Sequence, residues 1–166
     1  MNVFVGVPLF IIWCGVVAIS DCRNRRISNS IVLAGLMAAF ACALAHCGPF
    51  NISVPRAALG ALVGLAALMP FFALGVMGAA DVKIFAVLGA WCGMHALLGL
   101  WMAASLAAGI HALWLLVTTR TRLAALGRQG GATFELAGKA ATPYAACLTA
   151  AATGWLGLQA LAGGLR

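Results

Sequence analysis

Acidic residues are almost missing from this sequence. Of 166 residues, three carry a carboxylate (Asp21, Asp81 and Glu135), and the charged fraction is 8% against a hydrophobic fraction of 64%. A soluble globular chain is about half apolar and about a quarter charged, so water is not the solvent for most of this surface. Period-two alternation of apolar and polar residues is also missing, which removes a membrane β-barrel and leaves helices. C-x-x-C spacing is absent among Cys14, Cys22, Cys42, Cys47, Cys92 and Cys147. Cys42 and Cys47, five apart, do not resemble a zinc or redox site, and the six are read as small apolar packing residues. His46, His95 and His111 show no metal-ligand spacing, and Ser20, Ser28 and Ser30 have no conventional base nearby, so a serine mechanism has little support. No Lys or Arg precedes the first apolar run and no small-residue cleavage pattern follows it, so a removed signal peptide is not expected.

What the chain does contain is long apolar runs. Residues 1–20, 27–55, 57–80, 84–119 and 140–165 are free of Asp, Glu, Lys and Arg, and the mean hydropathy is +1.08. Each run reaches the ~20 residues that cross a bilayer core as a helix. Residues 84–119 are too long for one span and long enough for two with a tight turn, placed at Gly93-Met94-His95. The expectation is an all-α polytopic membrane protein forming one domain over 1–166. Its six spans fall at 2–20, 31–47, 57–78, 82–94, 96–118 and 143–162, the fourth short.

The net charge of +7 then reads as topology, with lipids and not nucleic acid as the partner. Arg23, Arg25, Arg26, Lys83, Arg120, Arg122, Arg128 and Lys139 fall on one side; Arg56 and Arg166 fall on the other. The positive-inside rule makes the richer side cytoplasmic and puts both termini outside. The loop 120–142 reads as a solvated topology-setting segment, with a basic amphipathic stretch on anionic headgroups as the alternative.

That topology, drawn from Lys and Arg alone, brings Asp21 and Asp81 to the same face. Two carboxylates held close do not easily both ionise, so one keeps a proton while the other acts as base; such a pair can activate water and protonate a leaving amine. The plain structural alternatives are a helix cap for Asp81 and a solvated loop acid for Asp21. Helix-end electrostatics predict an ionised Asp81 at a helix start and a protonated Asp21 near a helix end. Lys83 reads as a headgroup anchor or a substrate contact, and Arg25, Arg26 and Asn29 as headgroup and loop contacts. Glu135 is most simply a surface charge. Gly60 and Gly64 have the spacing of a close helix–helix contact.

Three segments add a resemblance. DCRNRRISN (Asp21 to Asn29) resembles the Asp-then-R-x-I-P-N segment of type IV prepilin peptidases, and GAADVK (Gly78 to Lys83) resembles their G-x-G-D-x-K motif. GKAATPYAACLTAAATG (Gly138 to Gly154) is similar to the Lys-then-Pro-Tyr stretch that opens their last span. The three occur in the family's order, and the short length resembles the tight-adherence (Flp-pilus) branch.

The resemblance implies an aspartic-type endopeptidase of the bacterial inner membrane, acting in type IV pilus assembly and protein secretion. It would remove a short basic leader from prepilin-like or pseudopilin substrates at the cytoplasmic face. Asp21 and Asp81 would be the catalytic pair, with Gly78, Ala80, Lys83, Arg26 and Asn29 as supporting motif residues. No metal or organic cofactor is implied. Nothing matches the cysteine-paired methyltransferase domain of longer members, so no methylation is expected. Two departures stand out: Ala80 replaces a motif glycine, raising the question of backbone strain, and Ser28 replaces a proline. A small proton-coupled transporter and a non-catalytic assembly factor are the alternatives, the first disfavoured because the acids sit at an interface and not at mid-membrane.

Overall fold

A computed structural model describes residues 3–24, 26–126 and 144–162. They form six helices: α1 (Val3–Asn24), α2 (Asn29–Leu44), α3 (Val54–Ala73), α4 (Ala79–Cys92), α5 (Met94–Leu126) and α6 (Tyr144–Leu161). Each predicted span overlaps one helix. Three of the six are long and apolar enough to cross a membrane: α1 over Val5–Asn24, α3 over Val54–Ala73 and α5 over Met94–Trp114. Ile12, Leu62 and Leu98 on these helices are 63%, 64% and 67% exposed, a surface that lipid covers at no cost and water does not.

The helix ends follow local chemistry. Ser28 caps α2 in an extended conformation and its hydroxyl accepts the Ile31 N–H, a task that the family's proline cannot perform with its side chain. Pro55 occupies the first turn of α3, where its missing N–H costs nothing. α3 stops at Gly75, whose φ of 71° allows the Val76 N–H to reach back to the Phe71 carbonyl and the Gly75 N–H to the Phe72 carbonyl. The turn expected over three residues between α4 and α5 needs only Gly93, at φ 77°; Met94 and His95 already belong to α5.

α4 is the centre of the bundle, with α2, α3, α5 and α6 packed around it. Val82, Ile84, Phe85, Val87, Leu88, Ala90 and Trp91 are buried, so this helix is apolar on nearly every side. Its 14 residues span about 21 Å. That explains the short fourth span: protein, not lipid, surrounds this helix, and bilayer thickness does not set its length.

Small residues let α3 reach it. A Cβ on Gly60 would strike the Gly89 carbonyl, and one on Gly64 would lie 2.8 Å from the Phe85 carbonyl, so the expected close contact of Gly60 and Gly64 is made against α4. Two tryptophans fix α2. The Trp13 indole donates to the Ile31 carbonyl at 2.9 Å and the Trp91 indole to the Gly35 carbonyl at 3.1 Å. Gly35 has no Cβ because the Trp13 ring occupies that space. α1 packs on α2 and α6, and α4 on α2 and α6, and the ends of α1 and α4 carry the acids.

Candidate active site

Asp21 lies in the last turn of α1 and not after it, because the helix continues to Asn24. It is 8% exposed, and with Thr149 it is one of two buried polar residues among those described. A buried carboxylate needs a partner, and one comes from a distant part of the chain: the Ala146 N–H donates to Asp21 Oδ2 at 2.9 Å. Ala146 is in the first turn of α6, where backbone N–H groups have no carbonyl within their own helix. Asp21 therefore caps α6 across the fold.

Asp81 occupies the third position of α4, after the N-cap Gly78. Its carboxylate curls back to the Gly78 N–H, the geometry of half a capping box. A side chain at Gly78 would crowd this arrangement, since a Cβ there would sit 3.3 Å from Asp81 Oδ2. Burial, and then the negative charge of Asp21, push the Asp81 carboxyl up from 3.8 to about 6, with the Gly78 hydrogen bond opposing the rise. The two acids are thus close enough to sense each other's charge.

Asp81 does not ionise as easily as its place at a helix start suggested. A rise from 3.8 to about 6 corresponds to about 3 kcal/mol against the charged form of Asp81, whereas a helix N-terminus returns only about 0.3–1 kcal/mol. Asp81 holds its proton more tightly than a free carboxyl does. Asp21, expected to suffer from the end of its own helix, faces the N-terminus of α6 instead.

The supporting residues join the motif segments. Lys83 Nζ donates to Asn29 Oδ1 at 2.8 Å, tying the start of α4 to the start of α2. The Ser20 hydroxyl donates to the Arg26 carbonyl at 3.0 Å and pins the link between α1 and α2; the Arg26 side chain is exposed. Ala80 is in the first turn of α4, and positive φ outside glycine occurs only at His46 and Asn51 among the described residues. The suspected strain is absent, and in a helical turn alanine is favoured over glycine by about 1 kcal/mol.

One neighbour carries no mark that sequence reasoning found. Ser105, in the first half of α5, shares a 3.0 Å hydrogen bond with the Tyr144 hydroxyl, and Tyr144 lies close enough to Asp81 to feel its charge. Tyr144 falls within the Gly138–Gly154 stretch, but a single serine on an apolar helix gives no signal. Arg25, Arg128, Glu135 and Lys139 lie outside the described residues.

A sequence description of the type IV leader peptidase family matches residues 8–113. The chain belongs to that family. The match takes in Asp21, Asn29, Asp81 and Lys83 and covers α1 through most of the membrane-length part of α5. Searches of curated proteins and of solved structures return no match. As a type IV leader peptidase with three membrane-length apolar helices, the protein is a membrane peptidase.

Proposed function

We propose that this type IV leader peptidase is an aspartic endopeptidase that cuts the basic leader from Flp-type prepilin-like proteins at the cytoplasmic face of a bacterial inner membrane. The observation that carries this reading is the coupled acid pair, with Asp81 raised to about 6 by burial and by Asp21. A pair holding one proton contains both a base and an acid. In this scheme Asp21 takes a proton from water as its oxygen attacks the scissile carbonyl carbon. Asp81 gives its proton to the carbonyl oxygen. Collapse of the tetrahedral intermediate breaks the C–N bond, and the leaving amine takes a proton from the pair.

The ends of α1, α2, α4 and α6 carry the pair, and the basic residues of the same end fit a cytoplasmic orientation with both chain termini outside. The family's Pro-Tyr stretch joins the arrangement through Ala146 and Tyr144. The substrate's apolar helix would bind by packing against the bundle from the lipid side, and its basic leader gains no long-range attraction from an enzyme face that is itself basic. Shortening that apolar helix should therefore weaken cleavage sharply.

The direct test is cleavage of a co-expressed prepilin in membranes by wild type, Asp21→Asn and Asp81→Asn. Each substitution should abolish processing while the protein still accumulates in the membrane. Processing that persists in either variant would exclude the acid pair as the catalyst.

A further inference from the structure

α2 ends in a cap that joins two cysteines. Ala45 is the last near-helical residue, His46 takes the left-handed conformation at φ 49°, and the Cys47 N–H returns to the Cys42 carbonyl at 3.0 Å. This is the six-to-one hydrogen bond of a Schellman turn, in which the residue beyond the turn and the residue three back from the helix end bring their side chains together. Those two positions hold Cys47 and Cys42, and the two side chains are close enough to interact. Five-residue spacing along a continuous helix would keep them apart; the turn at His46 folds one onto the other. Cys42 is buried and Cys47 half-exposed, and both are free thiols in the structure.

The pair sits at the end of α2 opposite Asn29, and therefore opposite the acid pair. If the acids face the cytoplasm, as under Proposed function, this end faces the oxidising side of the membrane, where disulfides persist. We propose that Cys42 and Cys47 close into a disulfide that locks the extracytoplasmic cap of α2. The oxidant is an external disulfide of the protein or glutathione class. The half-exposed Cys47 attacks it as thiolate, forming a mixed disulfide and expelling one thiol. Cys42 then attacks the Cys47 sulfur, expelling the second thiol, so two thiols are oxidised and one external disulfide is reduced. The locked segment supports α1, because Gly6 packs directly on the Cys47 carbonyl and has no room there for a Cβ.

Trypsin cutting after Arg26 and Arg56 releases residues 27–56, whose only cysteines are Cys42 and Cys47. Membranes quenched with iodoacetamide without reductant should give this fragment unalkylated and lighter by two hydrogens than the dithiol. After reduction it should carry two alkyl groups. Cys22 and Cys147, both near Asp21, should alkylate without reduction and act as internal controls. Two free thiols in the unreduced 27–56 fragment overturn the proposal, and two further measurements assign the cause. Purified reduced protein treated with oxidised glutathione tests the thiol geometry alone, and failure to close there refutes it. A membrane-impermeant maleimide on intact, reduced cells tests the orientation. Labelling only after permeabilisation overturns both the topology and the compartment on which the disulfide depends, whereas the acid-pair chemistry stands or falls on the cleavage assay.

Discussion

Replacing Asp81 with asparagine should remove activity and add stability. The carboxyl is raised from 3.8 to about 6, first by burial and second by the charge of Asp21, so the folded protein holds this proton more tightly than the unfolded chain. The native state then binds more protons between those two values, and stability falls as pH rises through them. The loss is complete above about pH 6 and reaches at most about 3 kcal/mol. Asparagine cannot ionise, and its side-chain oxygen can still accept the Gly78 N–H. The Asp81→Asn protein should therefore be more stable than wild type at pH 7.5 by up to about that amount, and equal to it near pH 3.5. Thermal unfolding in detergent across this range, followed by circular dichroism, measures the difference. An unchanged gap between the two proteins at all pH values, or a variant less stable at pH 7.5, would refute an Asp81 held in an unfavourable environment.

Three further outcomes follow from the same contacts. Asp21→Asn removes the charge that helps to raise Asp81 but leaves the burial, so the carboxyl band of Asp81 in difference infrared spectra should titrate below about 6 yet above the free value of 3.8; an unmoved band would separate the two acids. Ala80→Gly restores the family's residue, but in a helical turn; it should lower stability by about 1 kcal/mol without raising the cleavage rate, and a large gain in rate would mean that the loop needs the freedom of glycine. Gly60→Ala drives a methyl into the Gly89 carbonyl and should cost about 1–3 kcal/mol by overpacking, with loss of cleavage because α4 carries Asp81; a neutral result in chemical denaturation would contradict the close contact of α3 and α4.

The helices were legible because lipid demands long apolar runs, and charge-free runs can be counted. The short α4 was legible as a span but not as the bundle's centre, since hydrophobicity on every side reads the same whether lipid or protein surrounds it. Both acids were legible for a similar reason: a carboxylate in so apolar a chain is costly and draws notice. Their protonation was not. That argument assigned each acid the dipole of its own helix, whereas Asp21 is met by the Ala146 N–H, 125 residues away. The donor is a backbone group, which any residue supplies, so no side chain announces it. Ala80 misled in the opposite direction: a mismatch to a motif glycine suggested strain, but the position is helical and needs no glycine.

The arrangement of helix ends explains why the site holds one negative charge comfortably and two poorly. α2, α4 and α6 all begin at this end of the bundle, and Asn29, Asp81 and Ala146 each lie in the first turn of one of them. Unsatisfied N–H groups therefore collect at one face, and an anion there is favoured. Asp21 uses one such donor directly, and Asp81 uses the N–H of its own N-cap. Backbone dipoles supply about 1 kcal/mol each, which can hold the first charge in a partly buried place. The second charge meets the same burial plus the repulsion of the first, and the sum exceeds what its single N–H returns. The environment thus makes Asp81 easier to protonate than a free carboxyl as pH falls toward 6. Lys83 does not upset that balance, because its ammonium is turned to Asn29 at 2.8 Å and braces α4 against α2.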